Sequence, residues 1–155
     1  SLVEKLASVF GSQAIVCAVD STGTNPRQVG ILSGERFVDI SPEKHSLRLQ
    51  EAGACELLVQ SIAHDGELGG MDLDLLGRLA PIISVPIMFG SGASSAEDFY
   101  RAFSSGASAV CADAIFQFTE ETPDSIREYL SQKKGALQES EVSYSFATHP
   151  WSVVG

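Results

Sequence analysis

Basic residues are scarce in this sequence: ten Lys and Arg face twenty Asp and Glu, a formal net charge of −10. That balance repels nucleic-acid backbones and anionic bilayers, so neither is expected as a partner. Long apolar runs are missing too. No uninterrupted segment approaches the ~20 residues of a membrane span, and the first residues are neither basic nor signal-like. A soluble, unexported chain is the expectation. Cysteine is sparse, with Cys17, Cys55 and Cys111 widely spaced and odd in number. This excludes a disulfide framework and any C-x-x-C zinc or redox pair. Each cysteine lies in or just before an apolar run, where it behaves as a small core residue. A reducing cytoplasm is therefore the expected compartment. His45 falls in a helical pattern and His149 in a polar tail, so neither joins His64 in a metal set. No metal or cofactor is expected.

What is present reads as one compact globular chain of 155 residues, 44% hydrophobic and 19% charged. Four short apolar runs recur, at 14–19 (AIVCAV), 56–61 (ELLVQS), 85–89 (VPIMF) and 109–112 (AVCA). None alternates cleanly between apolar and polar, which is the pattern of parallel strands buried on both faces. Helical patterns lie between them. Residues 2–10 form an amphipathic stretch before the first strand. A helix over 42–52 follows Ser41 and stops at Gly53; another spans 72–79. A third is predicted from Ser94, with Glu97 as its capping-box partner, to Gly106. A last helix covers roughly 123–132, starting at Pro123. Strands alternating with helices define βα units and a parallel sheet. "LQEAGACELLVQS" and "AFSSGASAVCADA" repeat one order: helix end, Gly-Ala, strand. Two βαβα halves follow from that repeat. The domain is predicted over 1–134, with 135–155 an irregular extension that Trp151 could dock.

In a parallel βα fold, ligands bind at the carboxyl ends of the strands. The first strand delivers Asp20. The second delivers Gln60, Ser61, His64, Asp65 and Gly66, the third Gly90, Ser91 and Gly92, and the fourth Asp113 and Ala114. Asp20 and Asp65 can serve as general base and acid where burial or mutual repulsion splits their pKa values. Aspartates also tighten βα turns, and that role fits both positions equally. Gly90-Ser91-Gly92 before a helix can cradle a phosphate on backbone N–H groups, although any tight βα turn favours the same residues. His64 reads as a solvated loop histidine.

The ordered strand ends resemble the carboxy-terminal half of the cyclase subunits of imidazole glycerol phosphate synthase, (βα)8-barrel enzymes of histidine biosynthesis. The matching segments are "FGSQAIVCAVD", "SGE", "EAGACELLVQSIAHDGELGGMDLDLL", "PIMFGSGASSAEDF" and "FSSGASAVCADAIFQF", in order along residues 2 to 132. The fold this implies is a parallel (βα)4 half of a TIM-type barrel, completed by dimerisation or by a separate first half. The activity it implies is ammonia-dependent cleavage and imidazole ring closure on a phosphorylated ribose-type substrate, a lyase and cyclase reaction. By resemblance, Asp20 is the catalytic aspartate and Asp65-Gly66 match a loop that helps hold a substrate phosphate; Asp65 is also read as the second catalytic carboxylate. Ser61, Gly66, Gly90, Ser91, Gly92, Asp113 and Ala114 hold substrate or its phosphate. Glu56 marks the opposite rim, where ammonia arrives from a glutamine amidotransferase partner.

The chain departs from that pattern in four places. Ala63 stands where the family has an acid two residues before Asp65. The family's Ser-Gly-Gly phosphate turn is here Gly90-Ser91-Gly92, and Asp113 replaces a small residue beside the phosphate. A carboxylate there repels a phosphate dianion. The loop over 21–30 is shorter than the family's hairpin. The first half of the barrel, with its own aspartate and phosphate site, is not in these residues. Two other readings therefore stand beside the first. One is a non-catalytic, self-associating half-barrel with a residual phosphate pocket; the other is an ammonia-channelling synthase subunit of bacterial surface-sugar assembly.

Overall fold

A computed structural model describes residues 1–23 and 26–137, with side chains through residue 133. The predicted extension and its Trp151 contact fall almost wholly outside the described residues. The chain runs α1 (Leu2–Phe10), β1 (Val16–Thr22), β2 (Gln28–Ile31), β3 (Arg36–Val38), α2 (Pro42–Glu51) and β4 (Glu56–Ser61). It continues through α3 (Leu73–Leu79), β5 (Ile87–Gly90), α4 (Ala96–Ser104), β6 (Ala109–Cys111), α5 (Ala114–Phe118) and α6 (Pro123–Leu137). The boundary predicted at 134 thus falls inside α6.

One sheet holds all six strands in the order β3-β2-β1-β4-β5-β6. β1, β4, β5 and β6 are parallel neighbours, as the four apolar runs predict. β2 and β3 extend the sheet antiparallel at its other edge, with Asp20 opposite Gly30. The sequence reading had only a loop there. The strands are short and lack an apolar run, and Leu32 and Ser33 make the turn between them with φ of 54° and 56°. α5 was also unforeseen, being barely more than one turn.

β4 alternates strictly, and the core of β1 and the start of β5 follow it. Val19, Leu57, Val59, Ile87 and Phe89 are buried against the helices, packed with Leu75, Leu76 and Leu79 of α3 and Ala102 of α4. The other row carries Ala18, Leu58 and Met88 side by side in register, and none of the three is buried. Val16, on that same face, is 52% exposed. The continuous apolar runs alone read as strands buried on both faces, whereas half of a TIM-type barrel leaves one apolar face open, and the latter is what the strands show. The sequence hid the alternation because the uncovered row is itself apolar. α1 repeats the theme: it buries no residue and leaves Leu2, Val9 and Phe10 largely exposed.

The internal repeat has a physical basis. α2 and α4 both end on a left-handed glycine, Gly53 at φ 106° and Gly106 at φ 104°. Each ending makes the same pair of bonds: Gly53 N–H to Gln50 O and Ala54 N–H to Leu49 O, then Gly106 N–H to Phe103 O and Ala107 N–H to Ala102 O. These are Schellman closures, which satisfy orphan carbonyls and turn the chain into the next strand.

The start of α4 differs from expectation by one residue. Ser95, not Ser94, is the N-cap, and Asp98, not Glu97, closes the capping box. Asp98 is 6% exposed and its Oδ2 accepts from Ser94 N (2.9 Å), Ser94 Oγ (2.7 Å) and Ser95 N (3.1 Å). Glu97 instead faces α6, accepting from Tyr129 Oη and lying 3.7 Å from Lys133 Nζ.

Two predictions follow from this packing. An apolar row of this kind needs a cover, so sedimentation of the isolated chain gives a dimer or larger species; a monodisperse monomer at micromolar concentration contradicts this. Burial alone would raise the Asp98 carboxyl, but the hydrogen bonds from Ser94 and Ser95 outweigh it and hold it below its ordinary value. Its stabilisation is then full above an unfolded-state pKa of about 3.9 and disappears as pH falls through the lower folded-state value. Asp98→Asn costs about 1 kcal/mol at pH 7 and flattens the acid limb, as read by urea unfolding across pH 2–7.

Candidate functional site

The parallel register places the carboxyl ends of four strands at one rim. Asp20, Gln60, Gly90 and Cys111 lie abreast across β1, β4, β5 and β6. Above them opens a cavity of about 130 Å³. Asp65, Gly66, Ser91, Gly92, Asp113 and Ala114 line it, so six of the residues singled out in the sequence meet at one place. Gln60, expected at the rim, and Cys111, read only as a core residue, also line it. The signal for Cys111 was available, since it occupies a strand-end position on the uncovered face.

Asp20 sits beside this cavity on β1, half-buried. Its carboxyl is raised above the ordinary value, first by burial and then by the negative charge of Asp65. Burial likewise raises the Cys111 thiol, which donates toward Phe89 O at 3.7 Å. That thiol stays protonated and unreactive at neutral pH.

The turn after β5 is tightly fitted. Gly92 has φ 87°, and a Cβ there would lie 2.5 Å from Gly70 O and 2.9 Å from His64 Cβ. Gly70 N–H donates to Gly92 O at 2.8 Å, fastening the loop after β4 to this turn. Ser91 is 7% exposed, and its hydroxyl is buried without a partner among the described residues. Asp113 precedes α5, and one of its carboxylate oxygens accepts from Gln117 Nε2 at 2.6 Å. Among the described residues, no cationic side chain lines the cavity.

Three residues sit elsewhere. Gly90 lies beneath the turn and outside the cavity lining. Ser61 is fully buried on the helix side, where its hydroxyl donates to Asp72 Oδ2 at 3.2 Å and meets His64 Nδ1 at 2.8 Å. It does not reach the cavity, because odd positions of β4 face the helices. Glu56 begins β4 opposite Val16, at the other end of the sheet from the cavity. His64, read as solvated, is instead engaged by Ser61. Behind it lies a group that sequence reasoning missed: Asp72, joined by the guanidinium of Arg27. Nothing in the spacing of residues 27 and 72 announces that pair. Among the described residues, no group of three or more His, Cys, Asp or Glu is placed to hold a metal, and no helix is long and apolar enough to cross a membrane.

A mostly parallel sheet built of βα units, with helices packed on one face, is part of a TIM-type (βα)8 barrel. The sequence profile of the histidine biosynthesis protein family matches residues 1–122. The chain belongs to that family. It is 35% identical over 134 residues to imidazole glycerol phosphate synthase subunit HisF of Natranaerobius thermophilus, covering 85% of this chain and 53% of that protein. The same subunit of a Thermotoga species is 33% identical over 133 residues, again 85% and 53%. That of Corynebacterium glutamicum is 32% identical over 147 residues, 90% of this chain and 54% of the relative. The chain spans about half the length of these relatives.

Proposed function

We propose that this chain supplies the carboxy-terminal half of a cyclase barrel. Joined to a complementary half, it binds a phosphorylated ribose-type substrate and promotes ammonia-dependent cleavage and imidazole ring closure. The observation that carries this reading is the meeting of Asp65-Gly66 with Ser91-Gly92 around one cavity, beside Asp20. Asp20 acts as the general acid and base. Burial and the Asp65 charge keep its proton on to a higher pH than an ordinary carboxyl, which suits a group that must give and retake a proton. Asp65 is the second carboxylate, and the Ser91–Gly92 turn offers backbone N–H groups to the phosphate.

The same reading assigns Glu56 to the rim where ammonia enters, from a glutamine amidotransferase subunit. The apolar row of Val16, Ala18, Leu58 and Met88, with the exposed face of α1, is the seat of the complementary half. A cytoplasmic location fits the three free cysteines. Asp113 favours a second reading. With Asp65 it puts two carboxylates around a cavity without a cation, as in a self-associating half-barrel that keeps a pocket but no chemistry.

In a barrel assembled from this chain and a first half, Asp20→Asn lowers ammonia-dependent turnover at least ~100-fold. A rate unchanged from the parent sinks the acid–base assignment. Titration with inorganic phosphate addresses the other point. Asp113→Ala tightens phosphate binding about tenfold by removing a like charge, and equal affinities mean that the phosphate lies elsewhere.

A further inference from the structure

The Arg27 side chain is only 6% exposed and that of Asp72 only 4%. Burying a guanidinium and a carboxylate carries a desolvation cost that only good geometry offsets. The geometry here is a fork. Nη1 and Nη2 donate to the two oxygens of Asp72, Nη2 also reaches Asp74 Oδ2 at 2.8 Å, and Nη1 donates to Gly23 O at 3.3 Å. Two-point guanidinium–carboxylate pairing fixes orientation as well as distance.

The partners of this fork belong to the strand ends of the site. Gly23 directly follows β1, three residues after Asp20. Asp72 caps α3 through Leu75 N–H at 3.1 Å and accepts from Ser61. Ser61 in turn meets His64, which ends the short helical turn over Ile62–His64, and Asp65 follows at once. On the far side, Gly70 is fastened to Gly92. The loop from β4 to α3 is thus pinned at 64, 70 and 72, with Asp65 and Gly66 exposed between the pins at the mouth of the cavity.

We propose that Arg27 is a positioning residue: its fork joins the turn after Asp20 to the loop that carries Asp65 and so sets the separation of the two carboxylates. The acid–base consequence rests on the cyclase reading above, whereas the positioning itself does not.

The test is a cycle of carboxyl titrations by carbon-13 NMR on the 155-residue chain. In the parent, Asp65→Asn lowers the Asp20 pKa by removing the neighbouring charge. In an Arg27→Gln background the same substitution has at most half that effect. Arg27→Lys keeps the charge without the fork; it shows the same weakening and serves if the glutamine variant does not fold. An undiminished effect of Asp65→Asn in a folded Arg27 variant overturns the proposal, even if the urea midpoint has dropped. No turnover is needed for this readout. A barrel without ammonia-dependent activity would overturn the cyclase reading and leave the positioning role standing.

Discussion

A parallel sheet must be covered on both faces, and the described residues supply cover for only one. The helices bury Val19, Leu57, Val59, Ile87 and Phe89, while Ala18, Leu58 and Met88 face outward from the same strands. Everything else about the molecule is arranged around that asymmetry. The register that lays Asp20, Gln60, Gly90 and Cys111 abreast belongs to part of a TIM-type barrel wall. α1 leaves Leu2, Val9 and Phe10 exposed, and among the described residues the sheet ends in β6 with no parallel neighbour beyond. A second half of similar construction meets all three demands at once.

The site inherits its position from the strands but its precision from the loops. Strand direction alone brings the carboxyl ends to one rim, which is why so many chemistry-bearing residues gather there. Holding them a fixed distance apart requires contacts between loops. The Gly70–Gly92 bond and the Arg27–Asp72–Ser61–His64 chain provide these on either side of Asp65. Asp98 does comparable work at the start of α4, gathering the Ser94 and Ser95 donors directly after the Gly92 turn.

Much of this was legible in the sequence, and the rest was not for identifiable reasons. Apolar runs, N-caps and the two Gly-Ala helix ends located the parallel strands and most helices, because those signals are local. The rim residues followed from the rule that parallel βα folds bind at carboxyl ends. β2 and β3 were hidden because three- and four-residue strands carry too little pattern. The runs of β4 and β5 looked continuous because Leu58 and Met88 set an apolar residue between the buried ones on each strand. Ser61 was misplaced for want of the strand's facing, which only the register reveals. Arg27 and Asp72 were invisible because an ion pair between a hairpin and a helix cap leaves no spacing signature. The Ser94–Glu97 capping box was displaced by one residue, since Asp98 is the buried member of the pair.

The central claim is that this half-barrel becomes an ammonia-dependent cyclase when its open face is covered. The most direct measurement combines the chain with the amino-terminal half of a HisF relative and follows imidazole formation with ammonium supplied. The account predicts turnover that appears only when both halves are present and rises with their stoichiometric complex. A folded one-to-one complex without turnover would contradict it.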